Sequence, residues 1–226
     1  MFQLKNICFA YGEQIALSHI SLEVLEGESI VLTGPNGCGK STLLKLMNGL
    51  LFAQEGTFFF DGEEITQKKM QDSLYAKTFH QKIGYVFQNS DLQLFCGSVK
   101  DEIEFGPLQM GIGSEEVTQR REDVVKLLGI EHLLDRAPYH LSGGEKRKVA
   151  LACVLSMNPK VLVIDEPLAG LDRKSQQWLV EFLKHMKKTG KTMLISTHNE
   201  ELADLLSDRI VEMNEAYKIE RIHNIQ

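Results

Sequence analysis

The sequence predicts an α/β fold with a mostly parallel central sheet, an antiparallel β part at the N-terminus and an inserted helical segment. In the second half of the chain, short apolar runs of strand length alternate with helical patterns, which is typical of parallel sheets with right-handed crossovers. Residues 20–24, ISLEV, alternate apolar and polar side chains as a half-buried antiparallel strand does. From about Asn89 to Tyr139 the patterns are helical, with little that could be a strand.

The first half of the chain contains buried-strand patterns separated by glycine turns. The run SIVLT is apolar enough for a strand covered on both faces. In order, we predict a strand at Ser29–Thr33, a helix at Lys40–Asn48, a strand at Thr57–Asp61 followed by Gly62, and a strand at Ile83–Gln88.

The second half returns to strand and helix alternation after the helical segment. We predict helices at Glu115–Leu128, Arg173–Lys188 and Asn199–Leu206, strands at Lys160–Asp165, Lys191–Thr197 and Arg209–Met213, and a hairpin partner at Tyr217–Ile222. A length of 226 residues fits one large domain. We therefore expect residues 1–226 to form a single domain, with a helical subdomain at about 89–157 inserted in its core.

Composition and charge exclude several classes of protein. The hydrophobic fraction is 43% and the charged fraction 25%, which is ordinary for a soluble globular protein. A net charge of −6 argues against nucleic acid as a partner. Neither a membrane-spanning run nor a signal-peptide pattern is found, so we expect the chain to stay in the cytoplasm. The four cysteines are widely spaced and are expected to be core or loop residues: Cys8, Cys38, Cys96 and Cys153.

A glycine-rich stretch, GPNGCGKST at 34–42, fits the pattern GxxxxGK[ST] between a predicted strand and a predicted helix. This is the context in which the pattern binds nucleoside triphosphates, and it disfavours a chance glycine turn. Lys40 can reach the β and γ phosphates, and Ser41 can offer its hydroxyl to Mg²⁺. Backbone N–H groups of the loop can close around phosphate oxygens. The predicted binding residues are Gly34, Pro35, Asn36, Gly37, Cys38, Gly39, Lys40, Ser41 and Thr42. Cys38 would place a thiol inside this pocket.

Polar residues follow two further predicted strands. Asp165 ends the run VLVID, at the end of a buried strand where ligands collect in open α/β sheets. A carboxylate there can hold Mg²⁺, and Glu166 can orient or deprotonate an attacking water. An acidic pair alone would be interpreted as a solvated turn, but together with the phosphate loop at 34–42 it favours a metal and catalytic site. For His198, after the run KTMLIST, a phosphate contact and a structural role both remain open.

A second helix start, LSGGEKRKVA at 141–150, is suited to meeting an anion. Ser142 is a good N-cap, and the residues after Glu145 follow a helical pattern with Val149, Ala152 and Cys153 on one face. The two glycines leave backbone N–H groups bare at the helix start. The alternative is that Ser142 only caps the helix.

These motifs, in this order, resemble the ATP-binding cassette (ABC) family of ATPases over nearly the whole chain. The resemblance rests on the phosphate loop at 34–42, Gln88, LSGGE at 141–145, VLVIDE at 161–166, LAGLD at 168–172 and His198. It implies a P-loop NTPase fold: a RecA-like parallel core sheet, an N-terminal antiparallel β subdomain and an inserted α-helical subdomain. It also implies ATP hydrolysis, with ATP and Mg²⁺ as cofactors.

In this family two cassettes pack head to tail, so a second ABC ATPase subunit, identical or a paralogue, is the implied partner. The signature helix start of one subunit would face the γ phosphate of the ATP held by the other. The signature residues that would do so are Leu141, Ser142, Gly143, Gly144 and Glu145.

Other roles follow from the resemblance position by position. Tyr11 resembles the aromatic residue that stacks on adenine, although a plain strand-end tyrosine is an alternative. Glu166 resembles the catalytic carboxylate, and His198 resembles the residue that senses the γ phosphate. Gln88 would contact the metal and its waters and would couple the site to the helical segment. Asp172 would lie at the dimer seam, and it can also be the N-cap of the next helix. The implied metal residues are Ser41, Gln88 and Asp165.

The segment 84–112 resembles the ATPase subunits of energy-coupling-factor (ECF) transporters, which import vitamins or transition-metal ions. The matching residues are Gln93, Leu94, Phe95, Val99, Glu102, Ile103, Phe105, Gly106 and Pro107. Exposed apolar residues such as Leu92, Leu94 and Phe95 would suit a membrane partner, whereas packing inside the helical segment is the alternative.

The resemblance implies integral membrane subunits, including a substrate-binding one, and a peripheral location on the cytoplasmic face of the membrane. Another ABC importer or exporter class is the nearer rival interpretation, and a soluble non-transport ATPase is a more distant one.

Overall fold

The computed structural model describes residues 1–225 and contains two sheets. The strands are β1 (Phe2–Tyr11), β2 (Gln14–Val24), β3 (Ser29–Thr33), β4 (Glu55–Phe60), β5 (Glu63–Glu64), β6 (Ile83–Val86), β7 (Val161–Asp165), β8 (Thr192–Ser196), β9 (Arg209–Met213) and β10 (Ile219–Asn224). The α-helices are α1 (Lys40–Met47), α2 (Gln67–Met70), α3 (Ser73–Lys82), α4 (Val99–Gln109), α5 (Ser114–Leu128), α6 (Gly143–Ser156), α7 (Arg173–Lys188) and α8 (Glu200–Leu206). Short 3₁₀ turns occur at Ser90–Leu92, Glu131–Leu133 and Pro138–His140.

The smaller sheet is antiparallel, in the order β2-β1-β4-β5. Alternate side chains of its strands are buried, which is the pattern of a sheet with one face on a core. Phe2 pairs with Phe60 across β1 and β4, and the two rings lie 4.8 Å apart. This confirms the predicted N-terminal antiparallel part.

The larger sheet has the order β10-β9-β3-β8-β7-β6. Its strands β9, β3, β8, β7 and β6 are parallel, and β10 pairs antiparallel with β9 at the edge. All five residues of β7 are buried, because helices cover both faces of a parallel sheet, and this explains the continuous apolar run. Since β3, β7 and β8 are neighbours, the loops that follow them meet at one edge of the sheet. The predicted α/β architecture is confirmed.

Between β6 and β7 the described chain contains α4, α5 and α6. Helix α6 is buried around most of its circumference, including Val149, Ala150, Leu151 and Ala152, and it packs against both α4 and α5. Its buried apolar residues belong to the same hydrophobic cluster as Leu162 and Ile164 of β7 and the buried residues of α7. That residues 89–157 behave as a distinct subdomain of a single domain stays a prediction.

Several boundaries differ from the sequence prediction. Helices α2 and α3 were not predicted, because their short patterns carry few buried residues. Strand β6 ends at Val86, so Gln88 lies in the following loop. Helix α6 begins at Gly143, with the glycines in its first turn. The last strand begins at Ile219, and Tyr217 lies in the preceding turn.

None of the helices within residues 1–225 combines the length and the apolar character that crossing a membrane requires.

Candidate functional site

The phosphate loop leaves β3 and enters α1 through a glycine-dependent backbone. Gly34 and Gly39 have φ values of 129° and 102°, a region that side chains disfavour. A Cβ atom on Gly34 would lie 2.1 Å from the carbonyl oxygen of Met213, and one on Gly39 would lie 2.3 Å from that of Ala16. Gly39 caps α1 without a side-chain hydrogen bond, so the N–H groups of the first turn are available to an anion.

Lys40 lies across this loop with its ammonium group turned inward. Its Nζ donates to the carbonyl oxygens of Gly34 at 2.8 Å and Pro35 at 3.1 Å, and the side chain is largely buried. Phosphate oxygens carry more negative charge than carbonyl oxygens and make stronger hydrogen bonds with a cation. A bound phosphate can therefore compete for Lys40 without leaving the ammonium unpaired.

The Cys38 thiol is not where the sequence analysis placed it. Its side chain is buried, and Cys38 is not among the residues that line the cavity described below. Burial raises the pKa of this thiol, and the positive charge of Lys40 opposes that rise. Any contact of Cys38 with a phosphate would thus come from its backbone, because the side chain packs under the loop.

The Asp165 carboxylate collects three hydroxyl groups at the end of β7. Ser41 Oγ donates to Asp165 Oδ1 at 3.0 Å, and Ser196 Oγ donates to the same oxygen. The Tyr85 hydroxyl donates to Oδ2 at 3.4 Å. Burial raises the pKa of Tyr85, and the Asp165 charge adds to the rise, so this phenol stays a donor. The carboxylate is therefore held in one orientation.

The donor set around Asp165 fits Mg²⁺. The Ser41 hydroxyl, the Asp165 carboxylate and the Gln88 amide offer oxygen ligands of the kind that Mg²⁺ prefers. Residues 1–225 contain no cluster of three or more His, Cys, Asp or Glu that would form a protein-only metal site. This is compatible with Mg²⁺, which keeps waters and usually binds one or two carboxylates together with substrate phosphates.

Glu166 has a strained backbone and a histidine partner. Its φ of 44° is unusual for a residue with a side chain and costs about 1–3 kcal/mol. The Glu166 N–H donates to the carbonyl oxygen of Ser196 at 3.1 Å and to Ser196 Oγ at 3.0 Å. Its Oε2 lies 2.9 Å from His198 Nδ1. Because β7 and β8 are adjacent, the structure brings the predicted carboxylate and histidine into direct contact.

One cavity of about 480 Å³ unites most of the predicted site. The predicted residues that line it are Tyr11, Asn36, Gly37, Gly39, Lys40, Ser41, Thr42, Gln88, Glu166 and His198. Gly34, Pro35, Cys38 and Asp165 are not lining residues. Five further lining residues were not predicted from the sequence: Gln14, Ile15, Ala16, Ala169 and Tyr217. The first three follow Tyr11 closely along the chain, and this proximity could have predicted them. No feature of the sequence pointed to Tyr217.

Tyr11 is at the end of β1, and its side chain is nearly half exposed. Its ring packs edge-on against Phe9, with the ring centres 4.9 Å apart. The ring is thus braced by a neighbour while its residue lines the cavity. This is the placement that base stacking requires, and stacking on a nucleobase stays a prediction.

The signature helix start is closed by side chains. Ser142 Oγ accepts from the Glu145 N–H at 3.4 Å, and Glu145 Oε2 accepts from the Ser142 N–H at 2.8 Å and from its hydroxyl at 2.8 Å. These bonds, the Ser142 N–H first, lower the pKa of Glu145. Ser142 is therefore the N-cap of α6, while the N–H groups of Gly143 and Gly144 remain in the unsatisfied first turn.

The signature residues do not line the phosphate-loop cavity. Gly143 lines a second cavity of about 340 Å³, together with Ser90, Lys146 and Gly170. Gln88 and Ala169 line both cavities. The structure therefore places the signature helix start on a neighbouring surface, separate from the phosphate loop of its own chain.

Arg147 connects the signature helix to Gln88, and the sequence analysis missed it. Its Nη1 and Nη2 donate to the carbonyl oxygens of Phe87 and Gln88, each at 2.6 Å. The side chain is almost fully buried; burial lowers the pKa of Arg147, and the charge of Asp165 opposes the fall. These two bonds attach α6 to the loop that carries Gln88.

Asp172 caps α7, as one of the two interpretations expected. Its carboxylate accepts from the Ser175 N–H at 3.0 Å and from the Ser175 hydroxyl at 2.9 Å, and these bonds lower the pKa of Asp172. A Cβ atom on Gly144 would lie 2.1 Å from Ser175 Oγ. The signature helix thus packs closely against this cap, and a position at the dimer seam stays a prediction.

The apolar residues at the start of the helical segment divide into two groups. Leu92 and Phe95 are 75% and 68% exposed, and the Phe95 ring packs edge-on against Phe105 at 5.0 Å. Leu94 is partly buried against the core, so its expected exposure is wrong. The buried Glu102 carboxylate accepts from the N–H groups of Phe95 and Cys96 and holds this loop in place.

Comparison with known proteins shows the family. The family described as ABC transporter matches residues 17–169. The nickel import ATP-binding protein LarO of Lactiplantibacillus plantarum is 42% identical over 220 residues, which cover 97% of this chain and 91% of that protein. The energy-coupling factor transporter ATP-binding protein EcfA of Methanosphaera stadtmanae is 42% identical over 211 residues, which cover 93% and 74% of the two chains.

Solved structures agree with the sequence relatives. CbiO1 of Clostridium perfringens, which is part of the ABC transporter complex CbiONQ, matches with a TM-score of 0.85 and 34% identity, covering 99% of this chain and 88% of that one. A dimeric ATP-binding cassette bound to ADP and Pi, in a post-hydrolysis state, matches with a TM-score of 0.87 and 28% identity, covering 100% and 99%. These matches confirm the resemblance and the fold class.

Proposed function

The chain belongs to the ABC transporter family as an ATP-binding subunit, and we propose that two such subunits close around ATP to drive uptake of a micronutrient through an integral membrane partner. The micronutrient class is a vitamin or a transition-metal ion. The subunit would work on the cytoplasmic face of the membrane, and ATP hydrolysis is the activity characteristic of its family.

One observation carries the proposal of a dimer. The phosphate loop, Glu166 and His198 share one cavity, while Gly143 of the signature lines another. The start of α6 has free N–H groups and lies apart from the phosphate loop of its own chain. It is therefore suited to bind a phosphate that another molecule holds. The similar cassette that is dimeric and bound to ADP and Pi supports the proposal that such subunits form dimers. ATP would then join the two subunits, and hydrolysis would separate them.

Within each site the residues have distinct proposed roles. Lys40 and the glycine backbone bind the phosphates, and Ser41, Gln88 and Asp165 would hold Mg²⁺. When bound, Mg²⁺ neutralises phosphate charge. Glu166, kept next to the cavity by Ser196, orients the attacking water and accepts its proton.

His198 touches Glu166 through Nδ1 and is mostly exposed toward solvent. A γ phosphate would attract the same imidazole, because its oxygens are strong hydrogen-bond acceptors. His198 would then change partner according to whether the γ phosphate is present. This is how we propose that it senses nucleotide state.

Replacement of Glu166 by Gln tests the catalytic assignment. Glu166→Gln keeps the shape and removes the proton acceptor, so we expect ATP hydrolysis to fall by about 10²–10⁴-fold while ATP binding is retained. With hydrolysis blocked, dimers should accumulate in Mg²⁺ and ATP, which light scattering after size-exclusion chromatography would measure. Glu181→Gln is the matched control, since Glu181 is an exposed residue of α7 paired with Lys184. Hydrolysis at the wild-type rate in Glu166→Gln would exclude Glu166 as the catalytic carboxylate. A Glu166→Gln protein that stays monomeric in Mg²⁺ and ATP, even with paralogous cassettes supplied, would contradict the proposed dimer.

The proposed membrane partner would contact the exposed apolar pair Leu92 and Phe95. Nickel import by LarO and the CbiONQ complex of CbiO1 support a partner of this kind. Leu92 and Phe95 follow Gln88 in the chain between β6 and α4, and Arg147 of α6 holds the Gln88 carbonyl oxygen. We infer that a membrane subunit bound here would respond to closure of the ATP site.

Substitution of the pair tests this surface. Leu92→Ser with Phe95→Ser should abolish copurification of an integral membrane subunit after mild detergent extraction, because the apolar contact is lost. The isolated subunit should keep its ATP affinity. Leu74→Ser is the control, since Leu74 is similarly exposed but lies on α3. Unchanged copurification of the double variant would contradict the assignment of this surface.

A further inference from the structure

The hairpin turn between β9 and β10 reaches the ATP cavity. Its residue Tyr217 lines the cavity together with Tyr11 and Ile15, and the residue is partly buried. The same cavity is also lined by Lys40, Glu166 and other polar residues of the phosphate site. Its lining thus combines charged residues, suited to phosphates, with aromatic and aliphatic ones.

Tyr217 occupies a backbone conformation that its side chain disfavours. Its φ is 61°, a left-handed value at which glycine carries no steric penalty and an L side chain does. Non-glycine residues in such conformations cluster at ligand sites, where surrounding structure holds them. A glycine would fit the backbone of this turn with less strain than tyrosine. The backbone conformation of the turn therefore does not explain the Tyr217 side chain, and a role in binding would.

The surrounding hydrogen bonds fix the turn and use only the backbone of Tyr217. Its N–H donates to the Asn214 carbonyl oxygen at 3.0 Å, and its carbonyl oxygen accepts from the Ser18 N–H at 2.9 Å. Asn214 Oδ1 accepts from the N–H groups of Ala216 and Lys218 at 3.0 and 3.2 Å. The turn is therefore rigid and attached to β2, and a glycine could make the same bonds as Tyr217.

We propose that Tyr217 is a nucleoside-binding residue, which contacts the base and ribose of the bound nucleotide alongside Tyr11. A rigid aromatic side chain adds contact area at little cost in conformational entropy, and aromatic contact with a nucleobase stabilises binding. The inference rests on the proposed function, because it requires ATP to occupy this cavity.

Nucleotide binding to Tyr217→Gly tests the inference. ADP is the probe, because it carries the nucleoside and lacks the γ phosphate that would join two subunits. We expect the Kd for ADP, measured by calorimetry, to rise about tenfold, the effect of losing one aromatic contact with a base. The Kd for inorganic pyrophosphate, which has no nucleoside, should stay unchanged. The melting temperature should not fall, since glycine relieves the strain.

Two further variants separate the ring from the turn. Tyr217→Phe keeps the aromatic face and should bind ADP within about twofold of wild type. Ala216→Gly alters the same turn at an exposed residue outside the cavity, and it should leave both Kd values unchanged. A Tyr217→Gly protein with wild-type affinity for ADP, or with equal losses for ADP and pyrophosphate, would overturn the inference.

The variant Lys40→Ala shows whether a negative result rejects only the role of Tyr217 or also the proposed ATP site. Loss of ADP binding in Lys40→Ala together with normal binding in Tyr217→Gly would reject Tyr217 alone. Retention of normal ADP affinity in Lys40→Ala would show that the nucleotide binds elsewhere, and both proposals would then fall.

Discussion

The two glycine-rich helix starts of this protein are built in different ways. At the phosphate loop the helix begins at a left-handed Gly39 with no side-chain cap, and Lys40 supplies a cation from the same chain. At the signature, the hydroxyl of Ser142 and the carboxylate of Glu145 close the helix start in a capping box. The first site therefore has the parts to bind a triphosphate by itself. The second offers only a few backbone N–H groups, which agrees with the proposed role of contacting a phosphate that another subunit holds.

The glycines of the two helix starts also differ in what would obstruct a side chain at their positions. The obstacles around Gly34 and Gly39 are carbonyl oxygens of Met213 and Ala16, which belong to the folded backbone and cannot move away. The obstacle next to Gly144 is the hydroxyl of Ser175, a side-chain atom. Gly34 and Gly39 of the phosphate loop thus tolerate no side chain, whereas Gly144 of the signature is limited mainly by the side chain of Ser175.

The largest expected effect is at the phosphate loop. Gly39→Ala places Cβ against the Ala16 carbonyl oxygen in a left-handed conformation, which should cost about 3 kcal/mol or more and distort the loop. Gly37→Ala is the matched variant, because its φ is 83° but nothing lies within 4 Å of the new Cβ, so about 1–2 kcal/mol of strain is expected. Chemical denaturation and ADP titration would measure both. Equal losses would show that conformation alone, without the backbone obstacle, decides these glycines.

An intermediate effect is expected at Gly144. Gly144→Ala should cost about 1–2 kcal/mol, because the methyl group meets Ser175 Oγ. Adding Ser175→Ala removes that oxygen and should restore most of the stability, although the hydroxyl bond to Asp172 is also lost. A double-mutant cycle of unfolding free energies measures the coupling. If the unfolding free energies of the two variants simply add, the contact between Gly144 and Ser175 is not what disfavours a side chain at residue 144.

The smallest effect is expected for the capping box. Ser142→Ala should reduce the unfolding free energy by about 1 kcal/mol. The folded-state pKa of Glu145 is lowered from its ordinary value of 4.5, chiefly by the Ser142 N–H. Its contribution is therefore complete above the ordinary pKa and is lost as the pH falls through the lowered one.

The matched measurement uses Glu145→Gln, which cannot titrate. Its stability deficit relative to wild type should shrink as the pH falls below about 4.5. Denaturation curves at several acidic pH values would follow this change. A deficit that stays constant with pH would mean that the Glu145 charge does not stabilise the helix start.

Sequence alone determined most of the phosphate site and much of the fold. Asp165 ends a short apolar strand, and the motif at 34–42, Glu166 and His198 come after such strands. Parallel strands end at one edge of a sheet. Short apolar runs in the sequence also located every strand of the larger sheet, although not the exact residues at which each strand begins and ends. These features are local along the chain, so pattern and spacing were sufficient to find them.

Tertiary structure decided the features that depend on contacts between distant segments. Tyr217 reaches the cavity because β9 pairs with β3, and Arg147 reaches Gln88 because α6 packs under β6. The Cys38 thiol and Leu94 turn toward the core, and neither direction follows from an apolar or polar pattern. Side-chain direction and long-range contact are set by how the elements pack together, and a single sequence specifies them only through the complete fold.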